Sequence, residues 1–368
     1  MKLLIGKHIR SSRRIRSAGL TGLLVTSVLA LGLVAASSSS ATAASSSTGR
    51  TDQPRSLISQ EPGWRGNATP APAGTHWTVA VVPKSVGLFF WGTVDAGAQA
   101  AGKYFHVKII WKGTSSETDV TGQVNMLQDF ISRHVSGIAF AATDAHGLVS
   151  TAKAATRAGI PVVNIDSGLS PQTPPLVASH NIVAGAKAAD ILAKLIGDKG
   201  QVALLPFVPS AETSIQRQQG FETELKKYPG VKLVAVRYDE SNIETALSIT
   251  DDILTAHPDL KGIFDANEPG VDGTVSALAG RGLTPGTVKV VGFDNAVDEV
   301  NDLADGYVSA LIVQNPFRIG YQGVAEVVSL LEHRTVPHSV DTGVIVATKA
   351  NMNQPDVHQR LFPPTLGP

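Results

Sequence analysis

The chain has 368 residues, 43% of them hydrophobic and 17% charged, with no cysteine and a formal net charge of zero. That length allows two lobes with a sizeable core, the composition is neither collagen-like nor that of a disordered chain, and the missing cysteine excludes disulfides, thiol nucleophiles, iron–sulfur clusters and zinc–thiolate sites. The zero charge conceals an asymmetry: residues 1–43 hold Lys2, Lys7, Arg10, Arg13, Arg14 and Arg16 and no acid, which leaves 25 bases against 31 acids downstream and no electrostatic reason to expect nucleic acid or an anionic membrane as partner.

The first 43 residues read as an address. A basic stretch to Arg16, an apolar run from Ala18 to Ala36 and small residues containing Ala41-Thr42-Ala43 have the layout of a secretory signal, with cleavage expected near Ala43. Ser12-Arg13-Arg14 is similar to the start of a twin-arginine signal, but Ile15-Arg16-Ser17 departs from the usual apolar pair, so the export route stays open. The expected location is secreted or extracytoplasmic, and without cysteine the chain is not a lipoprotein. Residues 44–76, rich in Ser, Thr, Pro, Gly and Ala, are expected to be a flexible leader.

From Trp77 onward, short β-branched runs bounded by Gly or Pro alternate with helical patterns, as parallel βαβ units require. The series runs from a strand at Val79–Val82 through helical character to Lys103, a strand at His106–Trp111, a helix carrying Val120, Val124, Leu127 and Ile131, and a strand at Gly137–Ala142. The Ala-rich helix Leu148–Ala158 ends at Gly159, a suitable left-handed cap, before the strand Val162–Ile165. The pattern restarts near Asn181: a helix to Ile196, strand Gln201–Phe207, helix to Tyr228, strand Val231–Tyr238, helix to Ala256, then strands Gly262–Asp265, Val288–Phe293 and Tyr307–Val313. This predicts an α/β fold of two doubly wound parallel-sheet lobes, with ligand-binding residues just beyond the carboxyl ends of the strands.

Those strand ends carry Lys84, Phe89 and Phe90, then Asp166 and Ser167, and later Arg217, Tyr238, Asn267, Asp294 and Gln314. Aromatic faces beside planar polar forks complement a monosaccharide or polyol, whose C–H faces pack on rings while adjacent hydroxyls bridge to carboxylate, amide or guanidinium. Enzyme patterns fail by comparison. Gly97-Ala98-Gln99-Ala100-Ala101-Gly102-Lys103-Tyr104 ends in Tyr where a P-loop needs Ser or Thr, and it lies along a helix whose amides are already bonded. Gly280-Arg281-Gly282-Leu283-Thr284-Pro285 reads as a turn, no nucleophile elbow or zinc helix occurs, and His146 and His180 are expected in surface or capping roles. No catalytic residue, metal or cofactor is expected.

The run Thr78–Gln99 resembles the opening of the ribose-type sugar-binding proteins of ABC importers, with Phe-Phe before a helix reading Asp95-Ala96-Gly97-Ala98-Gln99. The likeness continues through Ala158–Asp166, Ala256–Phe264, Asn267-Glu268, Val290–Asp294 and Ala310–Pro316. It implies a type I periplasmic binding protein fold, with three crossings forming a hinge between one lobe of residues 77–180 plus 315–343 and another of 181–314 plus 344–368. It also implies Phe89 and Phe90 packing on the sugar ring, Asp166 taking two hydroxyls, Arg217 as the second-lobe arginine, Tyr238 as a second stacking ring, and Asn267, Asp294 and Gln314 as the remaining polar contacts. Two departures, Gly87 for asparagine and Ser167 for arginine, imply a ligand other than ribose bound in the usual way. Pro83-Lys84 and Thr121-Gly122-Gln123-Val124 echo the autoinducer-type and rhamnose-type branch and make Lys84 an extra candidate contact. The expected function is capture of a sugar or polyol by hinge closure and delivery, as a monomer, to a membrane permease; the alternative is a sensor that signals to a receptor or kinase.

Overall fold

The computed structural model describes residues 62–365, so the expected export signal and the expected leader up to residue 61 lie outside the described residues. Two six-stranded sheets organise the rest. In chain order the first half supplies β1 (Thr78–Val82), α1 (Phe89–Phe105), β2 (Lys108–Trp111), α2 (Val120–Ser132), β3 (Gly137–Phe140), α3 (Val149–Arg157), β4 (Val162–Ile165) and β5 (Leu176–Ala178). The second supplies α4 (Asn181–Leu195), β6 (Gly200–Leu205), α5 (Glu212–Leu225), β7 (Val231–Val236), α6 (Ile243–Ala256), β8 (Leu260–Asp265), α7 (Glu268–Gly280), β9 (Lys289–Phe293), α8 (Val297–Asp305) and β10 (Val308–Val313). The chain then returns through α9 (Pro316–Leu331), β11 (Ser339–Asp341), β12 (Ile345–Ala347) and α10 (Pro355–Leu361).

The strand orders are β2-β1-β3-β4-β5-β11 and β7-β6-β8-β9-β10-β12, so the second lobe repeats the layout of the first. All first-lobe pairings are parallel, whereas β12 runs antiparallel to β10. Helices cover both faces of each sheet, which is why the central strands are continuous apolar runs instead of alternating ones; β3, with Gly137, Ile138, Ala139 and Phe140, is buried throughout. Three crossings link the sheets, after β5, after β10 and between β11 and β12. Two are laced together, since the Thr342 amide donates to the Ala178 carbonyl at 3.0 Å and the His180 amide to Asp341 Oδ1 at 3.1 Å.

Both lobes hold helices in direct backbone contact. A Cβ on Gly97 of α1 would lie 2.0 Å from the Phe317 carbonyl oxygen of α9, and one on Gly320 would lie 1.9 Å from that of Val94. In the second lobe Gly185 of α4 meets the Arg217 carbonyl at 2.1 Å and Gly220 of α5 meets that of Ile182 at 2.0 Å in the same sense. Only glycine allows this approach.

The expected flexible leader is corrected in part. Pro62–Arg65 form a 3-10 turn, Trp64 and Ala71 are buried, and the Trp64 ring lies 6.4 Å from that of Phe317. The Ala71 amide donates to the Phe105 carbonyl at 2.9 Å, and the Arg65 guanidinium sits 4.6 Å above the Tyr104 ring. A single aromatic anchor outweighs the Ser, Pro and Gly around it. Among the described residues no helix is long and apolar enough to cross a membrane.

Candidate functional site: a cavity closed by both lobes

The carboxyl ends of both sheets converge on a narrow, tightly closed-down pocket between the lobes. Its lining includes Lys84, Phe90, Trp91, Glu117 and Asp166 from the first lobe, with Phe207, Arg217, Asn267, Glu268, Asp294 and Gln314 from the second. The topology explains the gathering: Lys84 follows β1, Asp166 follows β4, Phe207 follows β6, Asn267 follows β8, Asp294 follows β9 and Gln314 follows β10.

Asp166 and Asp294 both adopt left-handed backbone, with φ of 57° and 89°. Aspartate tolerates that conformation better than most residues because its short polar side chain bonds locally. The turn aims each carboxylate off the strand end into the cavity.

The first-lobe wall is ionic. Lys84, 3% exposed, places its ammonium 3.3 Å from Asp166 Oδ2, 4.0 Å from Glu117 Oε2 and 3.2 Å from the Thr213 hydroxyl of the other lobe. Its charge also lies 5.6 Å from the Trp91 ring centre and 5.1 Å from that of Phe207. Glu117 accepts from the Trp91 indole at 2.7 Å and from the Ser241 hydroxyl across the cleft at 2.7 Å, and Ser241 in turn accepts from Asn267 Nδ2 at 3.0 Å.

The second-lobe wall is built on Arg217. Its Nε donates to Asn181 Oδ1 at 2.9 Å, one terminal nitrogen donates to the Ala266 carbonyl at 2.7 Å, and the guanidinium carbon lies 3.6 Å above the Phe293 ring. Burial pulls its pKa down, against the charges of Asp294, Asp166 and Glu117, which hold the proton on. Burial also pushes the Asp294 carboxyl up to about 6 despite Arg217 and a 2.8 Å hydrogen bond from Gln314 Nε2. Gln314 Oε1, buried at the cavity, has no hydrogen-bond partner. Such an acceptor is costly unless a donor reaches it.

Seven of the ten residues expected at the site line this space: Lys84, Phe90, Asp166, Arg217, Asn267, Asp294 and Gln314. Phe89, Ser167 and Tyr238 do not. The aromatic pair is Phe90 and Trp91, in edge contact at 4.9 Å. Phe89 is the first residue of α1 and faces an outer groove with Val86, Trp111 and Val297, because helical geometry turns successive side chains by about 100°. Ser167 is fully buried with an unpartnered hydroxyl behind the wall. Tyr238 follows the edge strand β7, away from the centre of the cleft, and donates to Gln218 Oε1 at 2.6 Å.

Phe207 is the aromatic ring that the second lobe brings to the pocket lining. Reading the strand as Gln201–Phe207 hid it, since β6 stops at Leu205 and leaves Phe207 beyond the strand end. Glu117 and Glu268 carried a weaker signal: the first stands in the loop after β2, the second beside Asn267. His146 Nδ1 pairs with the Ser170 carbonyl at 2.8 Å, and His180 stands at the N-cap position of α4 without a side-chain capping bond.

A sequence profile of the periplasmic binding protein domain matches residues 79–335. The D-ribose/D-allose-binding protein of Pseudomonas aeruginosa is 30% identical over 276 residues, covering 73% of this chain and 86% of that protein. A solute-binding protein of a carbohydrate transporter from Agrobacterium radiobacter, solved with D-arabinose, superposes with a TM-score of 0.76 at 32% identity, over 79% of this chain and all of that one. An ABC-transporter solute-binding protein from Agrobacterium vitis with bound D-fucose gives 0.75 at 36% identity, over 77% and all of the two chains. With two repeated lobes enclosing a polar, aromatic-walled cavity at their strand ends, and a profile match across most of the chain, this protein belongs to the periplasmic binding protein family.

Proposed function

We propose that the two lobes close over one monosaccharide or polyol, outside the cytoplasm, for delivery to the permease of an ABC importer. The observation that carries this reading is the cavity itself, with rings at Phe90, Trp91 and Phe207, hydroxyl acceptors at Asp166, Asp294 and Gln314, and donors at Lys84, Arg217 and Asn267. A pyranose or furanose presents the complement: apolar C–H faces and a rim of hydroxyls that each donate and accept. Splitting these groups between lobes couples binding to closure, because second-lobe contacts form only when the lobes meet. The relatives solved with D-arabinose and D-fucose support a cyclic sugar, and the basic, apolar and small-residue layout of residues 1–43 supports export with cleavage near Ala43.

A thermal-shift screen against pentoses, hexoses, deoxy sugars and polyols tests the proposal. Ligand at 100 times its dissociation constant adds about 2.7 kcal/mol of stability, a shift of several degrees in a chain of this size. A shift confined to one or a few sugars is the expected result, and a flat response across the whole panel overturns it.

A further inference from the structure

Glu268, like Glu117, reaches across the cleft, but its partners there are backbone amides. It is the first residue of α7 in the second lobe, yet its carboxylate crosses the cleft and accepts from two amides of the first lobe, Phe89 N–H at 3.0 Å and Phe90 N–H at 3.1 Å. Those are the opening amides of α1, whose preceding residue Leu88 offers no side-chain cap. The first four amides of a helix have no partner within it, and the helix dipole favours an anion there. One carboxylate of one lobe therefore completes a helix of the other, and it is 7% exposed while doing so.

We propose that Glu268 is the interlobe clasp: a positioning residue that holds the first lobe closed by capping α1, and whose protonation sets how firmly it holds. This rests on the reading that the lobes close over a ligand. Opening the cleft strips α1 of its cap and returns the carboxylate to water, so the contact belongs to the closed form alone.

The surroundings fix the sign. Facing Glu268 are Asp272 on its own helix, Asp294 after β9 and Glu299 on α8, all acidic, while Lys84, Arg217, Glu117 and Asp166 line the same cavity. Burial pushes its carboxyl from 4.5 to about 7, against the two amides that pull it down and with Asp294 and Asp272 adding to the rise. Closing therefore takes up a proton. Between pH 6 and 8, an acid moving from 4.5 when open to about 7 when closed makes closure about tenfold less favourable as pH rises.

Amide exchange of Phe89 and Phe90 reads the clasp directly, without any sugar, because no bond inside α1 protects them. In the wild type both are expected to exchange more slowly than unstructured amides, with protection, corrected for intrinsic rates, falling about tenfold from pH 6 to pH 8. Glu268→Ala should abolish that protection while the amides of Val271–Leu278 keep theirs, which separates loss of the clasp from loss of α7. Glu268→Gln, which cannot ionise, should show no slope with pH.

Unprotected Phe89 and Phe90 amides in the wild type overturn the proposal, as does a pH slope that survives in Glu268→Gln. A sugar screen that fails while these amides stay protected counts against the proposed function and leaves the clasp standing. Sugar binding with unprotected amides does the reverse.

Discussion

Replacing Asp166 with asparagine separates three contributions that meet at one carboxylate. The side chain pairs with Lys84 at 3.3 Å, faces the cavity, and sits on left-handed backbone. Asparagine keeps the shape and tolerates the same φ, so Asp166→Asn removes charge alone, whereas Asp166→Ala also pays about 1–2 kcal/mol for left-handed alanine. At an effective dielectric of about 20, a carboxylate at 3.3 Å attracts the ammonium by about 5 kcal/mol and one at 4.0 Å by about 4. Glu117 thus goes on compensating Lys84, and the loss of stability in Asp166→Asn falls at or below the lower end of the ~3–5 kcal/mol that breaking a buried pair costs. Ligand loses a charge-assisted hydrogen bond, about 1.5–3 kcal/mol, or a dissociation constant raised roughly 10- to 150-fold. Urea unfolding reports the first number, and titration calorimetry with the sugar identified in the screen reports the second. Affinity within twofold of the wild type in Asp166→Asn would refute the place given to this carboxylate.

Arg217→Lys keeps the charge but loses the fork that reaches Asn181 and the Ala266 carbonyl; affinity should fall at least tenfold by calorimetry, since a lysine cannot make both bonds and still face the cavity. Burial raises Asp265 and Asp239 well above ordinary aspartate values, so the folded protein binds protons that the unfolded chain releases. Stability from these two groups is complete below about pH 4, the unfolded value, and declines as pH rises toward their folded values. Asp265→Asn, which keeps an acceptor for the Thr274 hydroxyl, should melt higher than the wild type at pH 8 and lose that advantage at pH 5. A chain shortened to begin at Trp77 loses the buried Trp64 and should be less stable by about 2–4 kcal/mol in urea, because its docking site on Phe317 becomes exposed. Gly185→Ala should lower both melting temperature and sugar affinity, since its new methyl would displace the backbone of Arg217.

The alternation of β-branched runs and helical patterns was enough to place nine strands and the two-lobe plan, because buried parallel strands leave an apolar signature that short windows detect. The three-residue strands β5, β11 and β12 have no such signature; pairing with neighbours, not their own sequence, makes them strands. At the site, residues directly after strand ends were legible, including Asp166, Asn267 and Asp294. What failed was rotation and boundary: one residue along α1 exchanges Phe89 for Trp91, and two residues at the end of β6 conceal Phe207. Glu117 and Glu268 were not among the expected site residues, since nothing in a linear reading says that the other lobe would cover them.

The left-handed aspartates have a consequence for how recognition can change. β4 and β9 occupy the same place in the two strand orders, so Asp166 and Asp294 are equivalent positions of an internally duplicated plan, turned toward each other across one cleft. Each has different company: Lys84 and Glu117 beside one, Arg217 and Gln314 beside the other. The pocket is two half-sites with matching backbone geometry and separate chemistry. On the proposed function, a change at Lys84 alters the company of Asp166 while Gln314 stays bonded to Asp294, so the two edges of a ligand can be read by separate sets of residues.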